Sequence, residues 1–276
     1  MIKSGWNQTG SVKKGIYLII IACSIGICFV GINSNADQER QQKLEYAKDT
    51  IKNETAKIQK LDTKIDHFYQ NKQDEFLAES TDTDAIIAVE KEINALKTTA
   101  LDFGLNEDEF SVVNSEVVKE KKRLILRINE TKIKKKIQEK IVSLLDQAPA
   151  DWSVIDSEVI INEKTTLENI MSIKKEISGT TGTWSSSIDV FLKEMETQVT
   201  QYNTLNQSID SLVEGETLSS NASMESFIAC YNQLELIKNE TLRKMLTEKL
   251  DVVDQLLNNQ AISQVEPVLE EELPSE

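Results

Sequence analysis

From Leu44 onward the apolar residues Leu44, Ala47, Ile51, Ile58, Leu61, Ile65 and Phe68 keep to alternating steps of three and four, with Glu54 in the one interrupted slot. That period places them on one stripe of an α-helix and excludes a half-buried strand, whose side chains alternate every second residue. A stripe of this kind must be covered, either by a copy of itself in a coiled coil or by other helices of the same chain. Further periodic segments follow, which favours a bundle.

The Thr81-Asp82-Thr83 cluster predicts a second helix ending at Gly104, with Ile86, Ile87, Ile93 and Leu96 on its buried side. Asn106 is expected to cap a third, very long helix. Phe110, Val113, Val117, Leu124, Ile128, Ile137, Ile141 and Leu144 carry it to a stop at Pro149. The same signals predict helices near 154–178, 184–213, 223–238 and 240–259, about seven in all.

The junctions between long and short helices resemble one another. Ile65-x-x-Phe68-Tyr69, Ile141-x-x-Leu144-Leu145 and Ile209-x-x-Leu212-Val213 each close a long helix, and a large apolar residue follows each in a polar loop: Phe76, Trp152 and Leu218. Short helices then end in Glu92-Ile93, Glu176-Ile177 and Glu235-Leu236. The offsets are 76 and 68 residues, which marks divergent repeats. The fold class expected is therefore all-α: an elongated array of three-helix-bundle-like units sharing long helices, with Phe76, Trp152 and Leu218 plugging the bundle ends.

Gly15 to Ile32 is eighteen residues without a charge, directly after Lys13 and Lys14. As a helix it reaches about 27 Å, close to the hydrocarbon thickness of a bilayer. The lysine pair at its edge favours an N-terminus in the cytoplasm and a body outside. The expected organisation is a short cytoplasmic head at 1–14, a single transmembrane helix at 15–32, an extracellular helical repeat domain at 33–259 and a disordered acidic tail at 260–276. Two processing routes compete with a retained anchor: lipidation of Cys23 after Ile20-Ile21-Ala22, and signal-peptidase cleavage after Ala36 in Ser34-Asn35-Ala36.

Removing the three head lysines from a net charge of −15 leaves −18 for residues 33–276, which turns the body away from nucleic acid. Cys23 and Cys28 lie in the apolar span and Cys230 stands alone, so the body has no internal disulfide to staple it. His67 is the single histidine, which removes multi-histidine metal sites and leaves partial burial or end-capping as its expected role. Gly179-Thr-Thr-Gly182 reads as a linker, and no Gly-rich phosphate loop is present. No catalytic, cofactor-binding or metal-binding residue is assigned, and no cofactor is expected. The chain is expected not to be an enzyme.

One segment departs from the acidic background. Lys119, Lys121, Lys122, Arg123, Arg127, Lys132, Lys134, Lys135, Lys136 and Lys140 face only Glu120, Glu130 and Glu139 between positions 119 and 140, a local net of +7. These ten residues form the candidate dock for an anionic wall polymer, a lipid surface or an acidic partner. The competing reading is a helix face whose cations pair with acids of neighbouring helices. Reversal of Lys134, Lys135 and Lys136 to glutamate is expected to leave the fold intact and to weaken retention on purified cell walls.

The repeated unit, as in I65DHFYQNKQDEF76 through E92INAL96 and I141VSLLDQAPADW152 through K175EI177, resembles the first extracellular domain of the midcell-anchored protein Z (MapZ) family of streptococci and their relatives. The resemblance covers roughly residues 40–259. That family marks the division site, and the resemblance implies a helical pedestal outside a single membrane span, a spacer or docking module at the cell envelope near the division machinery. MapZ proteins also carry a long cytoplasmic region that recruits the tubulin-like FtsZ and a second extracellular domain that binds peptidoglycan, and neither activity maps onto residues here. The reading is a non-enzymatic, single-pass docking or spacer protein of the bacterial cell envelope, with the membrane, wall polymer and envelope or division proteins as its partners. The alternative is a secreted or lipid-anchored binding module or adhesin.

Overall fold

Three long helices end in a short antiparallel return of the backbone, and that closure sets where the next helix begins. The computed structural model describes residues 38–71, 75–104, 106, 115–154 and 159–263. Among them are seven α-helices: α1 (Gln38–Asp66), α2 (Thr83–Asn94), α3 (Ser115–Val142), α4 (Leu167–Ile177), α5 (Thr183–Asp210), α6 (Met224–Gln233) and α7 (Glu240–Ser263). Two strands of two residues, β1 (Val213–Glu214) and β2 (Thr217–Leu218), complete the regular structure with 3-10 turns at Leu101–Phe103 and Leu234–Leu236. The all-α class follows from the apolar periods. The apolar span at 15–32 lies outside the described residues, and no described helix is long and apolar enough to cross a membrane.

At the first junction Tyr69 bridges Leu77, the Gln70 N–H donates to the Phe76 carbonyl, and the Ala78 N–H donates to the Phe68 carbonyl, each at 2.9 Å. At the second, Leu145 bridges Ile161, the Asp146 N–H donates to the Ile160 carbonyl and the Asn162 N–H to the Leu144 carbonyl. At the third, Val213 pairs with Leu218 and the Ser219 N–H donates to the Leu212 carbonyl. Gly215, with φ of 66°, makes this last return a tight turn that a residue with a Cβ resists.

Four residues past each returning partner the chain turns, and five past it stands a cap. The Thr81 and Thr165 hydroxyls donate to the Phe68 and Leu144 carbonyls, tying the turn to the end of the preceding helix. Asp82, Thr166 and Ser223 then accept the N–H of Ala85, Asn169 and Ser226 at 3.3, 3.2 and 3.1 Å. These side chains satisfy donors that the first helical turn leaves open. The short helices present the same three positions inward: Ile86, Val89 and Ile93 in α2; Ile170, Ile173 and Ile177 in α4; Phe227, Cys230 and Leu234 in α6 and the 3-10 turn after it. Phe227 alone among them is half-buried.

The chain divides into two compact units, one up to Lys135 and one from Lys136. In the first, α1 and α2 pack with the first part of α3 around Ile51, Ile65, Ile93, Phe103, Leu124 and Ile128. Glu54, the interrupting residue of the apolar stripe, is buried and accepts the Lys97 backbone N–H at 3.1 Å. A polar slot in the stripe thus fixes the chain leaving α2. In the second unit α5 packs against α4, α6 and α7, with Ile188, Phe191, Leu192 and Met195 fully enclosed.

Several sequence-based expectations change. The segment at 159–166 is the returning chain and the cap of α4, so α4 is shorter than 154–178; the run Val159-Ile160-Ile161 suits extended backbone. The counterpart of Leu218 is therefore Ile161, with Leu77 in the first repeat. Trp152 is instead half-buried with its ring 5.4 Å from that of Phe191, while Phe76 is buried beside Leu77. Leu236 is exposed and Leu234 takes the buried position, and Ile87 points outward at 43% exposure, leaving Val89 inside. The second helix stops at Asn94, and Gly104 ends only the separate turn Leu101–Phe103. The described part of the third helix begins at Ser115, while Phe110 and Val113 lie outside the described residues; α7 continues to Ser263, beyond the expected 259.

Replacing Thr81 or Thr165 by valine keeps the side-chain shape and removes the hydroxyl that ties each turn to the preceding helix. Each change should lower stability by about 1 kcal/mol in urea unfolding, with serine recovering most of the loss. Ile170→Ala should cost about 2–5 kcal/mol in the same measurement, because its site is fully enclosed.

Candidate functional site

The basic segment lies on α3, and the helix distributes its charges around its circumference. Arg123 and Arg127 turn toward α1. Arg123 bonds Asp62 at 2.9 Å and Glu120 at 2.8 Å, whereas Arg127 pairs with Asp62 and, at 2.8 Å, with Asp66. Burial alone would lower the Arg123 pKa, but Glu120 and Asp62 outweigh it and the guanidinium is held protonated. Lys121 and Lys132 turn toward α2. Lys121 donates to the Asn94 and Leu96 carbonyls at 3.1 and 2.7 Å, a C-terminal cap supplied from another helix, and Lys132 meets Glu90 at 2.7 Å.

Lys134 is not a surface lysine. It is 5% exposed, sits 5.1 Å from the centre of the Tyr69 ring and bonds Glu130 at 2.8 Å. The Tyr69 hydroxyl in turn meets Thr131 at 2.9 Å. The expectation that reversing Lys134 leaves the fold intact is therefore corrected: a carboxylate there would be buried against the ring with Glu130 as a like-charged neighbour.

In the second unit, Lys136 and Lys140 converge on Glu176 of α4. The hydrogen bond from Lys140, assisted by Lys136, holds the Glu176 carboxyl below the usual glutamate range. Of the ten candidate residues, Lys119 and Lys122 are exposed and have no ion-pair or hydrogen-bond partner among the described residues. Lys135 is half-buried and engaged. Half of the ten cations, Arg123, Arg127, Lys132, Lys136 and Lys140, thus meet acids distant in sequence.

A second polar cluster carries no sequence signal of its own. Gln198 of α5 is 5% exposed; its Nε2 donates to the Val159 carbonyl at 2.7 Å and its Oε1 accepts the Ile161 N–H at 3.3 Å. Asn239 donates to the Ile161 carbonyl at 2.9 Å and accepts the Leu242 N–H at 2.8 Å, so it caps α7 while holding the returning chain. Glu194, held below its ordinary range first by Lys238 and then by Gln198, completes the set. Gln198 and Asn239 satisfy buried backbone groups and Glu194 bonds Gln198 from the side, which is structural work.

Other residues of chemical interest are similarly engaged. His67 Nδ1 lies 2.6 Å from the Thr63 carbonyl just past the end of α1, the end-capping expected from sequence. Cys230 is buried with a free thiol whose pKa burial pushes up, the wrong direction for a nucleophile. Gly179 and Gly182 have φ of 128° and 114° in the link between α4 and α5. An open cleft of about 670 Å³ between α6 and α7 is lined by Tyr231, Asn232, Glu235, Glu240, Arg243 and Thr247, among others. Its lining holds no nucleophile with a base beside it. Among the described residues no cluster of acidic, histidine or cysteine side chains is placed to hold a metal ion.

The fold and these sites define an all-α helical-bundle protein. No family model, curated protein or solved structure matches the chain.

Lys134→Glu should destabilise the protein by about 3 kcal/mol in chemical denaturation, the scale for breaking a buried charge contact. Lys119→Glu and Lys122→Glu, at exposed unpaired positions, should each stay within about 0.5 kcal/mol of the parent. Because the folded Glu176 pKa is depressed, the stability it contributes is present above the unfolded glutamate value and is lost as pH falls through the lower folded value. An NMR titration should place the Glu176 midpoint below that of a free glutamate, and Lys140→Met should raise it.

Proposed function

We propose that this chain is a non-enzymatic, single-pass docking or spacer protein of the bacterial cell envelope, with its N-terminus in the cytoplasm and its helical body outside. The observation that carries this reading is the uncharged span Gly15–Ile32 directly after Lys13 and Lys14, followed by a long helical repeat. A repeat that rebuilds one junction three times supports a spacer, since each added unit extends the chain without requiring a new core. An elongated arrangement of those units belongs to the same proposal. The resemblance of the repeat to the MapZ pedestal adds a place for it, near the division machinery.

A second reading has its own motif. Ser34-Asn35-Ala36 fits signal-peptidase cleavage, and Ile20-Ile21-Ala22-Cys23 fits lipidation, either of which would make the body a secreted or lipid-anchored binding module.

Protease treatment of intact cells should degrade the body if it faces outward, and a protected body would overturn the orientation. Mass spectrometry of the membrane fraction should recover the N-terminal head joined to the rest; a chain beginning at Cys23 or Asp37 would replace the anchor reading with the second. A fluorescent fusion should concentrate at midcell, and a uniform peripheral signal through the cell cycle would remove the division link.

A further inference from the structure

The cations of α3 in the first unit fall into two groups by position. Lys121, Arg123, Arg127, Lys132 and Lys134 turn to the sides and find oxygen partners, and Lys135 is engaged as well. Lys119 and Lys122 have none among the described residues, and they begin a row that continues through Leu126, Asn129 and Ile133 at steps of three, four, three and four. Leu126 is 71% exposed and Ile133 is 48% exposed. Alternating three- and four-residue steps describe the seam that one helix offers another. This seam faces away from the core that Leu124 and Ile128 fill.

We infer that this outer face of α3 docks an acidic amphipathic helix of a partner protein, with Leu126 and Ile133 as the apolar contacts and Lys119 and Lys122 as the charge selectors. Complementarity decides the occupant. The row contains two cations without a partner among the described residues and no carboxylate, so a second copy of the same face would bring lysines against lysines or against apolar residues. A flat anionic lipid surface fits less well, because Glu130, with its side chain 58% exposed, stands beside Asn129 and would face the headgroups. A single helix carrying leucines at matching steps and glutamates at one end satisfies the row and avoids that acid. The inference deepens the docking part of the proposed function by naming a surface and a partner class. It does not depend on the direction in which the chain crosses the membrane.

The test uses the full chain in nanodiscs of neutral phosphatidylcholine and a fluorescein-labelled peptide of about three heptads, with leucines on the seam and glutamates at the end that meets Lys119 and Lys122. Anisotropy should show saturable binding, weakened at least tenfold by Leu126→Glu. The double change Lys119→Glu with Lys122→Glu should weaken it similarly, and a peptide with lysines in place of those glutamates should recover binding to that variant alone. All changed side chains are exposed, and circular dichroism verifies that each variant stays folded. No binding, binding indifferent to Leu126→Glu, or no recovery by the charge-swapped peptide would overturn the inference. Displacement of the peptide by phosphatidylglycerol vesicles would assign the face to a lipid surface instead. Self-association in ultracentrifugation that Leu126→Glu abolishes would assign it to a second copy. Protease shaving of cells reads the membrane orientation separately, so either conclusion can fail without the other.

Discussion

The backbone return at the ends of α1, α3 and α5 is the constraint on which the other contacts depend. A helix end leaves carbonyls without partners, and here the Phe68, Leu144 and Leu212 carbonyls accept N–H groups from the chain coming back. Because two or three backbone bonds fix the returning segment in register, the cap of the next helix is placed at a fixed offset, and so is its buried face. The loops between the paired residues can then differ in length without disturbing anything downstream. Tyr69 meets Leu77, Leu145 meets Ile161 and Val213 meets Leu218 across intervals of very different size.

The same return creates a demand for buried polar partners. Thr81 and Thr165 meet it with hydroxyls, and in the second unit Gln198 and Asn239 meet it with amides aimed at Val159 and Ile161. Net hydrogen-bond energies are small, but an unmade buried bond is costly, so these residues specify which segment lies where more than they add stability. Glu54 plays a comparable part in the first unit by holding the Lys97 N–H.

Much of the architecture was legible because α-helical burial has a sequence period. The number of helices among the described residues, the short and long alternation, the cap at Asp82 and the ends near Ile65, Ile141 and Ile209 all follow from apolar spacing and turn chemistry. What misled was composition where local preference and packing disagree. Trp152 is the largest residue in its loop, yet the smaller Ile161 holds the equivalent position, because the register is set by backbone pairing rather than by side-chain size. Leu236 and Ile87 are as apolar as Leu234 and Val89, and only the bundle decides which of each pair faces inward.

By itself, the sequence determined the helical class, the repeat, the uncharged span at 15–32 and the presence of a basic segment at 119–140, since each is a property of residues near one another in the chain. Tertiary structure decided what the basic segment amounts to. Asp62, Asp66, Glu90 and Glu176 are far from α3 in sequence and reach its lysines and arginines only when the helices pack. Coulomb attraction falls with distance and is strongest out of water, so a cation's partner is fixed by the fold and not by its neighbours along the chain. That selection leaves Lys119 and Lys122 beside Leu126 as the unpaired end of a segment that looked uniform in one dimension.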